Sequence, residues 1–258
     1  MPDEIAPKSS SGQRSVGGRY DSTDIMLGDR SSRKLYFRNK TTDAALIQQI
    51  LVDRQYDLGR LRRSPELKAF LERQKATGKA PLIVDAGANI GATTLFFATI
   101  VPDAQIVAIE PNQDNFALLE LNVEKLRVQT IRGALASTEG YARVTDPGIG
   151  HWGYRTEHIA DMTDNGGSVP RVTVDQVYRE HAADCFPFLV KIDIEGGEAD
   201  LFSCNTEWVA KTPLLIIELH DWLLPGRRTS SAFLHCVSQL DRDFVYFGED
   251  VFSIANRL

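Results

Sequence analysis

Apolar residues recur along this chain with two spacings. Short unbroken runs of strand length, such as Leu82-Ile83-Val84, Gln105 to Ile109, Phe188 to Ile194 and Leu214 to Leu219, read as strands buried on both faces. Between them lie stretches whose apolar residues fall three or four apart: Ala92 to Ile100, Asp114 to Leu126 and Ala232 to Leu240. These predict helices with one apolar face. Val128 to Leu135 reads as a further strand, Gly140 to Val144 as an added hairpin strand, and Val172 to His181 as a short helix. Another helix is expected after Phe188 to Ile194, running to about Cys204. Strands alternating with helices predict a doubly wound, mostly parallel α/β sheet. Asp243 to Phe247 and Val251 to Ala255, parted by Gly248-Glu249-Asp250, read as an antiparallel pair closing one edge.

The flanks divide the chain further. Residues 1–20 are small, polar and glycine-rich and read as a mobile tail. Residues 21–80 read as an N-terminal cap, with short strands between Tyr20 and Lys40 and helices over Ala44 to Val52 and Pro65 to Ala76. Residues 81–258 form the main domain. Within it, Asp146 to Pro170 is rich in Gly, Asp and Thr and reads as a long loop. His151, Trp152, Tyr154, Arg155 and His158 on it could stack on a ligand.

Composition changes this picture only by exclusion. With 43% hydrophobic and 25% charged residues among 258, the chain can bury a core. A net charge of −6 argues against a nucleic-acid partner. Cys185, Cys204 and Cys236 are far apart and odd in number, which predicts packing residues in a reducing, cytoplasmic setting. No apolar run has the length of a membrane span or a signal peptide. Self-association into a homo-oligomer stays open.

The chemistry concentrates where strands end. Asp85, Glu110 and Asp193 each close a predicted strand, and Glu218 with His220 closes another. In a doubly wound sheet those carboxyl ends converge on one crevice. Glu110 comes 25 residues after Asp85, where a carboxylate can accept both hydrogen bonds of a ribose diol. The turn holding Gly87 and Gly91 is not the dinucleotide fingerprint, because Asn89 stands where its second glycine would be. An acid just before the turn disfavours a diphosphate and suits a cofactor carrying a cation.

In this order, DAGANIG, IEPN, KIDIEGGE and IIELH resemble the FkbM-type family of S-adenosylmethionine-dependent methyltransferases. The upstream stretch FRNKTTDAALIQQILVDRQYDL is similar as well, so the likeness spans residues 36–221. The resemblance implies a class I methyltransferase fold, a Rossmann-like three-layer sandwich around a seven-stranded sheet. It implies O-methylation of a hydroxyl on a sugar, glycan or secondary metabolite. It places Asp85, Gly87, Ala88, Asn89 and Gly91 on the methionine part of the cofactor and Glu110 on the ribose. Pro111 and Asn112 would shape the adenine edge, with Ala134 and Leu135 lining the adenine pocket.

Methyl transfer to an alcohol also needs the hydroxyl proton removed. His220 is the first candidate base, since an ordinary imidazole titrates near neutrality, at about 6.5. Asp193 is the second. Asp193, Glu218 and a third oxygen could hold Mg²⁺. Glu195, Glu198 and Asp221 crowd the same tips, and Glu198 equally suits a helix N-terminus. Tyr56 reads either as a core residue or as a neighbour of the cofactor. A nicotinamide-dependent oxidoreductase and a non-catalytic cofactor-binding protein are the alternatives.

Overall fold

The computed structural model describes residues 20–27, 31–146, 155–161 and 167–258. The tail expected over residues 1–20, apart from Tyr20, and His151, Trp152 and Tyr154 lie outside the described residues. The chain opens with an antiparallel hairpin, β1 (Asp21–Met26) and β2 (Ser32–Phe37). A short helix α1 (Asp43–Ile47) runs into a π turn at Gln48–Val52, and α2 (Ser64–Lys75) follows. The short strands expected between Tyr20 and Lys40 are thus this hairpin, and the cap is part hairpin, part helix. Ile25, Leu35, Ile47 and Leu67 are buried in one apolar cluster with Ile83, Leu189 and Ile216 of the main sheet.

The α/β body begins with β3 (Ala80–Ala86), α3 (Ala92–Ile100), β4 (Gln105–Ile109) and α4 (Gln113–Val123). Next come β5 (Val128–Ile131), β6 (Ala134–Leu135), β7 (Gly140–Thr145), β8 (Arg155–Ile159) and β9 (Ser168–Val172). Then follow α5 (Val174–His181), β10 (Cys185–Ile192), α6 (Glu198–Leu201), α7 (Glu207–Lys211) and β11 (Leu214–Glu218). The chain closes with α8 (Ser231–Ser238), β12 (Arg242–Phe247) and β13 (Asp250–Ala255).

Seven strands form the main sheet in the order β12-β13-β11-β10-β3-β4-β5. The five from β11 to β5 are parallel, and β13 runs antiparallel to both its neighbours. The order reverses between β3 and β10, since the chain goes outward from β3 through β4 to β5 and resumes on its other side. Ligands bind at such a switch point in doubly wound sheets. Side-chain alternation divides the core: Ile83, Leu189 and Ile216 face one layer, while Leu82, Val84, Val190 and Ile217 face the other. The architecture is the Rossmann-like, seven-stranded α/β sandwich expected.

Two expectations need correction. Val128 to Leu135 is not one strand. It breaks at Arg132-Gly133, and Ala134-Leu135 join a separate four-stranded sheet ordered β6-β9-β7-β8. Gly133 permits this crossing, because a Cβ there would stand 3.0 Å from the Pro170 carbonyl oxygen. The region 146–170 is not one loop either: β8 and the start of β9 lie in it and pair with β7. Their short length, the polar residues of β8 and the proline in β9 hid the alternation. Among the cysteines only Cys185 is buried; Cys204 is exposed and Cys236 partly so, and all three are free thiols.

Candidate active site

The ends of β3, β4 and β10 press together under one cleft of about 750 Å³, counting its open mouth. The bend after β3 is built from backbone contacts. Gly87 and Ala88 N–H both donate to the Ile109 carbonyl at 3.0 Å, and Asp193 N–H donates to the Ala86 carbonyl at 3.1 Å. Gly87 has φ +74°, and a Cβ there would stand 1.8 Å from the Asp193 carbonyl oxygen. Only glycine fits between the two strand ends. Asn89 also takes a positive φ, 49°, and its buried side-chain oxygen has no hydrogen-bond partner.

Glu110 closes β4 and is nearly inaccessible to solvent. One carboxylate oxygen accepts the Asn89 N–H at 2.9 Å and the other accepts the Asn112 N–H at 2.9 Å. Asn115 Nδ2 donates more weakly to the second of these oxygens at 3.4 Å, and Asn115 Oδ1 accepts from Arg38 at 2.8 Å. Glu110 is thereby tied to the N-terminal segment. Burial pushes its carboxyl up to about 7, against those donors.

A lysine not foreseen from the sequence holds the base of the cleft. Lys191 is the Cα partner of Asp85 across β10 and β3, and both are fully buried. Its Nζ donates to the Gly87 carbonyl at 3.0 Å and to Asp193 Oδ2 at 3.3 Å, and stands 3.6 Å from Asp85 Oδ1. Burial would lower its pKa, but Asp193 and Asp85 outweigh that and keep the ammonium charged. Asp85 also accepts from the Thr94 hydroxyl at 2.6 Å.

Beyond Asp193 the chain turns through Glu195, at φ 55°, and Gly196 into α6. His220, just past β11, is 1% exposed. Its Nδ1 lies 2.8 Å from Glu198 Oε1. Its Nε2 faces Asp193 Oδ1 at 3.6 Å, Glu195 Oε2 at 3.6 Å and Glu218 Oε1 at 3.5 Å. Burial alone would lower the imidazole pKa. The hydrogen bond and charge of Glu198, then Asp193 and Glu195, raise it to about 9. Burial and then the Asp193 charge raise Glu195 to about 8 and Glu218 to about 7.

The family model for the methyltransferase FkbM domain matches residues 85–244. The chain belongs to the FkbM methyltransferase family. The match starts at the glycine bend and ends within β12, so the upstream stretch lies outside it. No curated protein sequence matches the chain. Solved structures similar to this FkbM-family chain include the fibrillarin/Nop5p complex, at 14% identity and TM-score 0.38 over 70% of this chain and 73% of that one. WbdD, crystallised with a kinase inhibitor, is 13% identical with TM-score 0.40, over 81% of this chain but only 43% of its own. A putative caffeoyl-CoA O-methyltransferase from Staphylococcus aureus is 12% identical with TM-score 0.39, over 83% of this chain and 99% of its own.

In this FkbM-family protein, eight residues expected at the site line the cleft. They are Gly87, Ala88, Asn89, Glu110 and Pro111 at one end, Ala134 and Leu135 on the added sheet, and Asp193 opposite. Five do not. Asp85 lies within β3 and faces Lys191 and Thr94. Gly91 is the positive-φ N-cap of α3, packed on Leu119. Asn112 caps α4, its side chain accepting from Asp114 and Asn115 N–H. Glu218 and His220 stand behind the cleft wall rather than on it. Arg155 and His158 sit in β8, whose Thr156 is the residue that reaches the cleft. Tyr56 is buried against Phe97 and also lines the cleft. The nicotinamide alternative falls with the family assignment.

Lys191 was the principal omission. Its signal was available, because alternation along Leu189-Val190-Lys191-Ile192 puts a cation on the same sheet face as Asp85.

Proposed function

We propose that this chain transfers a methyl group from S-adenosylmethionine to a hydroxyl of a sugar, glycan or secondary metabolite. The observation that carries the reading is Glu110: a buried carboxylate at the end of β4, held in place by two backbone N–H groups, beside a bend that excludes any side chain. The oxygen facing Asn89 keeps a lone pair for one ribose hydroxyl, and on the other a second hydroxyl would take the place of the weak Asn115 contact. The residues present suit the cofactor. Asn89 supplies an unpartnered acceptor for its ammonium, and Ile109, Ala134 and Leu135 supply apolar wall for its base. The acids at the Asp193 end suit a positively charged sulfur.

Bound there, S-adenosylmethionine would supply an electrophilic methyl group. The chain contributes position, worth about 7–11 kcal/mol at best. Asp193 and Glu195, on the cleft wall, are placed to accept the acceptor's O–H hydrogen bond and take its proton. His220 does not line the cleft, so it is not placed to take that proton itself.

Calorimetric titration with S-adenosylhomocysteine tests the cofactor assignment. Micromolar binding by the wild type, lost in Glu110→Ala, is the expected outcome; unchanged affinity in that variant would count against it. A methyl-release assay over a panel of glycosides and polyols tests the acceptor. Cofactor binding with no turnover on any hydroxyl, and no loss from Asp193→Asn, would favour a non-catalytic binding protein.

A further inference from the structure

Where Asp193 and Glu195 line the cleft, two carboxylate oxygens that normally take hydrogen bonds face a buried imidazole without one. Asp193 Oδ1 and Glu195 Oε2 are both buried and have no donor. They are the same oxygens that face His220 Nε2, each at 3.6 Å, and Glu218 Oε1 stands 3.5 Å from that nitrogen. Those separations exceed hydrogen-bond reach. They are close to the spacing of atoms that share one ion: ligands at about 2.1 Å from a tetrahedral metal lie about 3.4 Å apart. The donor atoms of Asp193, Glu195 and His220 all fall within 4.8 Å of one another.

Histidine here is already arranged as a ligand. Its Nδ1 faces Glu198 Oε1 at 2.8 Å, and Glu198 is fully buried. A carboxylate on the far nitrogen is the usual partner of a metal-binding imidazole, because it fixes the ring and leaves Nε2 free to coordinate. Asp193 is held in turn by Lys191 through its other oxygen. Crowding one buried and three partly buried acids around a single ring is costly without a positive charge to offset them, and a bound cation would supply it.

We propose that Asp193, Glu195 and His220 bind a divalent transition-metal ion, with Glu218 as a fourth donor and Glu198 as the positioning residue. One nitrogen among carboxylates favours Mn²⁺ or Zn²⁺ over Mg²⁺, which prefers an all-oxygen octahedron. This replaces Mg²⁺ on Asp193 and Glu218 as the expected metal chemistry. The site stands on the geometry alone. Its use, taking an acceptor oxygen as a further ligand where Asp193 and Glu195 line the cleft, rests on the methyl-transfer reading.

The full-length protein, stripped with chelator and dialysed, is titrated with MnCl₂ by calorimetry and followed by electron paramagnetic resonance. A single Mn²⁺ site of micromolar affinity is expected, with nitrogen modulation in the electron spin echo from His220. MgCl₂ should bind about tenfold more weakly or worse. Glu198→Gln, checked for folding by circular dichroism, should weaken Mn²⁺ by about tenfold or more. His220→Gln should remove the nitrogen signal. A wild type that binds no Mn²⁺ below millimolar concentration, or binds it without nitrogen modulation, overturns the proposal without relying on any variant. Mg²⁺ as tight as Mn²⁺ overturns it too. Glu110→Ala should keep the ion while losing S-adenosylhomocysteine. Mn²⁺ binding by a wild type that does not bind S-adenosylhomocysteine would leave the metal site standing and sink the methyl-transfer reading instead.

Discussion

Lys191 and Glu110 are buried ionisable groups whose surroundings decide their charge. Lys191 neutralises Asp85 and ties the Gly87 bend to Asp193. Lys191→Met keeps the volume but leaves Asp85 without its cation, so a loss of about 3–5 kcal/mol is expected in urea unfolding. Glu110 gives a pH test. Burial raises its carboxyl to about 7, and on the proposed reading protonation would remove one of the two oxygens offered to the ribose hydroxyls. Affinity for S-adenosylhomocysteine should therefore fall by about tenfold between pH 8 and pH 6. In Glu110→Gln the residual affinity should be flat across that range. The role of Glu110 as a strand-end carboxylate was legible from its spacing. The misplacing of Asp85 arose because an acid beside a glycine turn looks like a ligand group, while its partner Lys191 lies 106 residues away in sequence.

At the level of elements, the glycines separate contact from conformation. Gly78 and Gly87 both hold positive φ, 85° and 74°, but a Cβ on Gly78 meets nothing within 4 Å. Gly78→Ala should cost only the left-handed strain of about 1–2 kcal/mol. Gly87→Ala adds a clash with a strand-end carbonyl and should cost about 3 kcal/mol or more, with loss of cofactor binding. Equal midpoints in thermal denaturation would refute the distinction. Long strands and helices with strong periodicity were readable: β4, β11, α2, α8 and the closing pair fall within a few residues of expectation. The break at Gly133 was not, because nothing local marks the point where a strand leaves one sheet for another. It depends on Pro170 and Val172, distant in the chain.

For the whole molecule, the readable feature was the convergence of strand ends, which follows from element order alone. The tie between the N-terminal segment and the cleft was not readable, since it runs through single side chains. Asn122 bonds both Tyr36 and Ile90, and Arg38 reaches Asn115. No helix among the described residues is long and apolar enough to cross a membrane. Glu110 and Asp250, the latter raised to about 6 by burial, make stability depend on pH. Both folded pKa values exceed their unfolded ones. Their stabilisation is thus complete below about pH 4 and lost as pH rises through about 6 and 7. With chelator present and no cofactor, the thermal midpoint should be higher near pH 5.5 than near pH 8; the reverse order would remove these two carboxyls as its cause. Stability and affinity then pull in opposite directions over the same interval. The contact between Gly87 and the Asp193 carbonyl has a mechanical consequence. Two strand ends packed that closely should move together as one floor. Movement on ligand exchange is therefore expected in the walls, which include Leu46, Ile50 and Thr156.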